Sequence, residues 1–551
     1  MSLPDFTTQA SLFSISSRTD QLFGAADRYR LFASKIYPLL VSARAQLEKL
    51  YCLDNGRPAV EPVLLLGVSL LQYLEGMPDR QAVEQLRYHA GWSFALNRSL
   101  GEEVFHPTCL VHFRQRLIEN EQSALIFRQV LDGLLAAGLV ARQSKQRLDA
   151  TQVFGLVSWM SWLDCVREAL RLALKELTQS AAGFGPPAFW SELQERYVES
   201  KVDYKASSPT LERKLQEAGV DAARLLHWVK SLSDATIGTG QQVALLQRVF
   251  DEHFELVGPE QTVQRRTTLS SDRVQNPHDP DARYAVKGQG KQKKEHVGYK
   301  VQVAETVAEG KLCPGEPTRN FVCGILTHAA QESDEAGAEK MQAEQAAMGL
   351  EKPSALYVDG AYVSGQRLAE AASEGRRLVG PAAHSPQNNQ GRFTAEQFQI
   401  DVERRQAICP AGQPNTQCSR LEEQQGGKVS FRFEWSTHCQ GCPLREQCVA
   451  PGQKHRTVVV GQFHSALQAR RVEQQTEAFV EEIKQRNAIE GTQSELVRAH
   501  GLRRARYRGL AKVGLQNYFA GAACNAKRWI RRTIWQMKQV LPEARPAVDS
   551  A

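Results

Sequence analysis

Several things are scarce in this sequence, and each shortage excludes a class of protein. No apolar run approaches the roughly eighteen residues that a membrane span needs. The longest, Pro62-Val-Leu-Leu-Leu-Gly-Val-Ser-Leu-Leu71, reads as a buried helix. Met1 to Leu12 lacks a basic stretch leading into an apolar one, so no secretory leader is expected. A cytoplasmic protein without a membrane partner is the expectation. No long internal repeat is present, which sets repeat architectures aside. Acidic residues are missing altogether between Leu496 and Pro542, a stretch with eleven Lys or Arg. The net charge of +7 is therefore concentrated near the C-terminal end, and the rest of the chain is slightly acidic. A basic stretch with no acids cannot pair within itself and suits a polyanion such as nucleic acid.

At 551 residues the chain is too long for a single core, and three or four folding units are expected. Residues 1–141 read as a helical N-terminal domain: Pro62–Leu74 is apolar, Asp79–Tyr88 amphipathic, and Leu110, Phe113 and Leu117 recur at helical spacing. Its short helices and the turn Gly76-Met-Pro-Asp79 are compatible with a helix-turn-helix reader, with Arg80, Arg87, Arg98, Arg114 and Arg116 available for phosphates; a plain helical scaffold fits the pattern equally. Residues 142–390 begin with strand character at Leu148–Val157, turn helical over about 158–257, and return to strands at Val297–Glu305 and Phe321–Thr327. A helix over Asp334–Met348 and a strand ending at Asp359 follow. This order is that of a mixed α/β domain carrying a helical insertion. Ser271–Arg283 and Lys287–Lys294 read as mobile loops. Residues 391–455 form a small cysteine-rich insertion, 456–540 complete the α/β unit, and 541–551 are a tail.

Three carboxylates stand in distinctive contexts. Asp149 lies in Arg147-Leu-Asp-Ala-Thr-Gln-Val153 near the start of a strand, and Asp359 in Tyr357-Val-Asp-Gly-Ala-Tyr362 at the end of one. Glu490 lies on a helix expected from about Val472 to Val497, sharing a face with Arg486, Ser494 and Arg498 at intervals of four. Hard oxygen ligands on strand ends and a helix suit a pair of Mg²⁺ ions for phosphodiester chemistry. Glu495, a rival third acid, points roughly 140° away from Glu490 at 3.6 residues per turn.

Eleven cysteines in a cytoplasmic chain argue for metal binding or burial rather than disulfides. Cys52, Cys109, Cys165, Cys313, Cys323 and Cys524 are isolated and read as small core residues. Cys409, Cys439, Cys442 and Cys448 have the spacing of a structural four-thiolate Zn²⁺ site, with Cys418 or His438 as alternative ligands. Beyond Glu490, the run His500-Gly-Leu-Arg-Arg-Ala-Arg-Tyr-Arg-Gly509 interleaves Arg503, Arg504, Arg506 and Arg508 with Tyr507, a pattern suited to phosphates and a stacked base or sugar.

These motifs, in this order and over nearly the whole chain, resemble a DDE transposase of the bacterial insertion-sequence type, from the branch with a helical N-terminal domain and a cysteine knuckle before the final Glu. The resemblance rests on Pro62–Leu117, Leu-Asp-Ala-Thr around Asp149, Asp279-Pro-Asp-Ala-Arg283, Gly298-Tyr-Lys300, Tyr357–Tyr362, the cysteine cluster, and Glu490-Gly-Thr through Arg508-Gly. It implies a ribonuclease-H-like core in which Asp149, Asp359 and Glu490 hold two Mg²⁺ (or Mn²⁺) ions for DNA cleavage and strand transfer. It also implies recognition of terminal inverted repeats, a dimer or larger synapse, and nucleoid association. In related transposases the last helix carries Tyr, Arg, Glu and Lys; here Arg486 and Glu490 match, Ile483 replaces the Tyr, and Arg498 stands one position late. A related nuclease would share the acids but cut without joining, and a disabled descendant would keep only the basic surface.

Overall fold

The structure, a computed structural model, describes residues 22–52, 58–99, 102–200, 207–288, 293–384, 391–423 and 427–540. The tail 541–551 and the middle of Lys287–Lys294 lie outside the described residues.

The N-terminal helices include α1 (Pro62–Glu75), α2 (Asp79–Tyr88), α3 (Thr108–Glu119) and α4 (Leu125–Ala136). Helix α1 starts on Pro62, whose fixed φ suits a first turn, and stops at Gly76, whose φ of 71° a side chain would resist. Its residues 62–73 are all buried, as the apolar run requires.

Strand β1 (Gln146–Phe154) follows. Helices α5 (Trp162–Ser180), α6 (Ser208–Ser231) and α7 (Gln241–His253) then pack on one another around a core of their own, from Leu163 to Val274. The chain returns through β2 (Lys294–Thr306), β3 (Val322–Ala329), α8 (Asp334–Ala347), β4 (Ala355–Tyr357) and β5 (Arg377–Val379). The sheet order is β3-β2-β1-β4-β5, with β2 antiparallel to β1 and β3, and β4 and β5 parallel to β1. The extra strand Arg283–Lys287 pairs with the first part of β2.

The cysteine segment forms its own three-stranded sheet, β6 (Gln417–Glu422), β7 (Val429–Glu434) and β8 (Thr457–Gly461), over a small core that includes Phe433 and Trp435. Helices α9 (His464–Glu473), α10 (Glu477–Asn487), α11 (Ile489–His500) and the long α12 (Leu510–Val540) complete the chain. The single helix expected from Val472 to Val497 is thus interrupted twice. Thr476 caps the start of α10 through its side chain, and a break at Ala488 separates Arg486 from the helix that bears Glu490.

Helix α12 unites the molecule. It lies along β3, α1 and α4 in one continuous hydrophobic cluster that runs from Tyr29 to Ile530. Gly521 passes so close to Phe127 and Ile325 that an added Cβ would meet both at about 3.1–3.2 Å. Asn525 closes the free edge of β3: its Nδ2 donates to Val322 O (2.8 Å) and its Oδ1 accepts from Val322 N (2.9 Å).

The segment Ser271–Arg283 is not the mobile loop that its Asp, Pro and Asn content suggests. Asp279 is fully buried, accepting from Tyr299 Oη (2.6 Å) and Gly509 N (3.1 Å), while Asp281 accepts from Leu510 N (2.9 Å). Two carboxylates thereby satisfy N–H groups at the start of α12, a stabilising place for negative charge. Gly298 is needed because a Cβ there would sit 2.1 Å from Val153 O. Of the six isolated cysteines, Cys165, Cys323 and Cys524 are buried, but Cys52 and Cys313 are exposed.

Beneath the site lies a buried ionic cluster. Arg147 Nε donates to Glu305 Oε2 (2.5 Å) across β1 and β2, and its Nη1 to Gln485 O (3.0 Å) on α10. Arg528 Nη1 on α12 donates to Glu305 Oε1 (2.6 Å), and Thr492 Oγ1 on α11 to the same oxygen (2.5 Å). Replacing one partner strands a buried charge, so Arg528→Met should lose about 3–5 kcal/mol in urea unfolding. A loss below 1 kcal/mol would show that the cluster does not hold α11 and α12 to the sheet.

Candidate functional site

Register brings the first two acids together. In the parallel pair β1–β4, Arg147 stands opposite Tyr357, so Asp149 and Asp359, each two residues further on, emerge at the same level of neighbouring strands. Asp149 is the fourth residue of its strand, because pairing with β2 starts at Gln146 rather than at Leu148. Its Oδ1 accepts from Ala150 N (2.8 Å), and Asp359 Oδ1 caps the turn after β4 through Ala361 N (2.9 Å).

Glu490 comes from α11, whose inner side is fixed by Thr492. Two residues apart on a helix face opposite ways, so the buried Thr492 leaves Glu490 pointing outward, with its side chain 71% exposed. All three acids converge on one guanidinium. Arg486 Nη2 lies 3.1 Å from Asp149 Oδ2 and 3.8 Å from Asp359 Oδ2, and its Nη1 lies 3.8 Å from Glu490 Oε1. Three carboxylates ring one positive group, and hard oxygen donors of this kind are what a divalent cation prefers; with Arg486 among them, their oxygens do not all lie within 4.8 Å of one another. The chemistry of the donor set suits Mg²⁺ or Mn²⁺.

Burial pushes the Asp149 carboxyl above its ordinary value; Arg486 and the Ala150 amide pull it down, and Asp359 adds a smaller push upward.

Glu495 belongs elsewhere. Arg528 Nε (3.0 Å) and Lys527 Nζ (3.3 Å) hold it on the far side of α11, where these cations outweigh its burial and keep the carboxyl below the usual range. A ligand oxygen of Glu495, a ring nitrogen of His500 and Cys524 Sγ lie within 4.8 Å of one another, a possible metal site by distance. Its carboxylate is already neutralised by two cations, which opposes a third.

The basic segment borders the triad. Phe154 N donates to Arg503 O (2.8 Å) and Ala505 N to Phe154 O (2.9 Å), which fastens the segment to the end of β1. Arg503 Nη2 reaches Thr151 Oγ1 (3.4 Å), one step along the face that presents Asp149. Arg498, Arg503, Arg504 and Arg508 are exposed and have no acidic partner among the described residues. Arg506 instead stacks on Tyr73, 4.9 Å from its ring centre, and Tyr507 lies under Arg114 at 5.4 Å rather than standing free. Three of the N-terminal arginines expected to be free are engaged: Arg114 is buried against Asp79, Arg98 pairs with Glu102 at 3.0 Å, and Arg116 stacks on Tyr51, 4.6 Å from its ring centre. Arg80 and Arg87 remain exposed.

Cys409, Cys439, Cys442 and Cys448 line one small cavity, about 20 Å³, with His438 at its wall and Cys418 outside it on β6. Cys409 and Gly412 form a tight turn (Gly412 N to Cys409 O, 2.8 Å; Gly412 φ 75°), and Arg456 N donates to Cys439 Sγ at 3.4 Å. An amide aimed at a sulfur is the support that a metal-bound thiolate requires. Burial pushes the Cys448 thiol up to about 11.

Pattern reading missed the cluster Arg147–Glu305–Thr492–Arg528, whose members lie far apart in the chain. The one local signal was Arg147, two residues before Asp149 and so on the same face of the strand.

Two family models match the chain. One, described as a Transposase DDE domain, covers residues 408–530, taking in the cysteine turns, Glu490 and the basic segment. The other, described as a Transposase domain, covers residues 17–116. No curated protein matches the chain. The two matches define a class, transposase-domain proteins that act on DNA. Their combination in one chain indicates, more narrowly, a DDE transposase of the insertion-sequence type.

Because folding raises the Asp149 value, ionising this carboxyl opposes folding. Its contribution is fully favourable below the unfolded-state value, about 3.9, and is lost as pH rises through the raised folded one. In metal-free buffer, Asp149→Asn should therefore raise the unfolding midpoint at neutral pH, and the gain should vanish at about pH 3. Equal midpoints at both pH values would show that Asp149 carries no burial penalty.

Proposed function

We propose that this chain cleaves DNA at the ends of an insertion sequence and joins the freed ends to target DNA, using Asp149, Asp359 and Glu490 as its acid triad. The convergence of these three acids on the Arg486 guanidinium carries the reading. They would hold two Mg²⁺ (or Mn²⁺) ions, which when bound activate an attacking hydroxyl group and offset charge on the phosphate.

In the first step water attacks phosphorus at the element's end, and the P–O3′ bond breaks to free a 3′-hydroxyl. In the second, that hydroxyl attacks a target phosphodiester, whose own 3′-oxygen leaves. No covalent protein intermediate is needed. Arg486 would pair with the phosphoryl oxygens, while Arg498, Arg503, Arg504 and Arg508 would hold flanking phosphates. Arg506 and Tyr507, packed on N-terminal residues, complete the DNA surface from a more fixed position.

A ribonuclease-H-like core is supported by the order β3-β2-β1-β4-β5 with β2 alone running against the rest. The separate cores of the helical insertion, Leu163 to Val274, and of the cysteine segment, Phe398 to Val460, support setting off these two units, proposed at about 158–257 and 391–455, from the rest of the chain, which we divide at about 141 and 540. Residues 1–141 would read the terminal inverted repeats, within a dimer or larger synapse at the nucleoid. No helix among the described residues is long and apolar enough to cross a membrane. The four cysteine sulfurs would hold a structural Zn²⁺ with no open position.

Purified protein with Mg²⁺ and a plasmid bearing the ends that flank its gene should produce cuts and new junctions, read by sequencing. Asp359→Asn should abolish both while DNA affinity stays within about twofold. Cuts without junctions would favour a nuclease, and binding with neither a disabled descendant. Elemental analysis should find close to one zinc per chain, falling in Cys442→Ser; a zinc-free wild type would remove the metal assignment.

A further inference from the structure

A cleft of about 560 Å³ separates the turn between α1 and α2 from the basic segment. Gly76, Met77, Pro78 and Arg80 line one wall, Arg506 and Tyr507 the other. Its electrostatics are lopsided. The carboxylate within it, Asp79, is taken up by Arg114 on both oxygens and by Gln72 Nε2 (2.7 Å). Arg80 is exposed and has no acidic partner among the described residues, and Arg506 is likewise without one. Arg506 is also pre-set. Stacking on the buried Tyr73 fixes the plane of its guanidinium, which leaves its edge N–H groups for a ligand. Met77 and Pro78 give the opposite wall an apolar surface beside these two cations.

We propose that this cleft is a subsite for one nucleotide of a DNA strand leaving the acid triad, with its phosphate between Arg80 and Arg506 and its sugar against Met77 and Pro78. The proposal rests on the DNA-processing role above and extends it: the N-terminal helical region and the basic segment would grip the same strand. Position supports this. Arg503 contacts Thr151 beside Asp149, and Arg506 and Tyr507 follow within four residues, so a strand tracking the segment from the acids meets the cleft within a few nucleotides. Two guanidinium groups fed from different parts of the chain would bind a phosphate only when those parts are docked, as they are here through the Tyr507–Arg114 and Arg506–Tyr73 contacts.

The test is a phosphate-by-phosphate binding measurement on the full chain. Duplexes bearing the element's end carry one neutral methylphosphonate at successive positions of one strand, and affinities are compared for wild type and Arg80→Gln. One position a few nucleotides from the cleavage point should weaken wild-type binding about tenfold, and the same substitution should have no further effect in Arg80→Gln, whose intact-duplex affinity is already about tenfold lower. Lys230→Gln, an equal charge loss on the helical insertion, controls for long-range attraction and should show the wild-type profile. Effects of Arg80→Gln and neutral phosphates that simply add at every position would overturn the subsite while leaving the DNA-processing role intact. Wild-type protein that fails to bind the ends at all would overturn both.

Discussion

The buried pairing of Glu305 with Arg147 and Arg528 is the constraint on which the rest of this structure depends. One carboxylate, 1% exposed, accepts from β1, from α11 and from α12, and so ties three distant stretches of chain to a single point. Burying charge is unfavourable unless every partner is in place, which makes the arrangement all-or-none rather than loosely tolerant. Because Thr492 faces inward to this cluster, Glu490 must face outward, and because Arg147 is fixed, Asp149 emerges two residues further along the same face. The cluster therefore sets the geometry of the acids without touching anything they would bind.

The site above it has the opposite character. Three carboxylates crowd together, and Arg486 balances them from within their midst. Here Asp149 and Arg486 are only partly buried, and the third acid is open to solvent. A rigid ionic foundation thus lies under an ionic surface that is partly open to solvent, an arrangement that suits the metal-dependent chemistry proposed above.

Much of this was legible along the chain. Asp149 and Asp359 announced themselves by strand patterns, the cysteine turns by their spacing, and the basic segment by its lack of acids. The helix Asp334–Ala347 lies within one residue of its expected bounds because Ser333 caps it and acids fill its first turn. Errors arose where local composition and tertiary partners disagreed. Ser271–Arg283 has the composition of a loop, but Asp279 is buried because Tyr299 and the start of α12 supply its donors. Tyr507 and Arg114 look like free contact residues, but each is the other's packing partner.

What the sequence alone determined was the chemistry: which acids, sulfurs and cations exist, and in what local conformations each is held, since periodicity and caps act over a few residues. What only the tertiary structure decided was who meets whom. Glu490 and Glu495 are both acids of one helix, and no local rule separates their fates. Arg528, thirty-eight residues beyond Glu490, takes Glu495 into an ion pair on the far side of α11 and leaves Glu490 to Asp149 and Asp359. That choice follows from packing and from the cost of leaving a buried charge unpaired, terms that belong to the folded whole and to no segment of it.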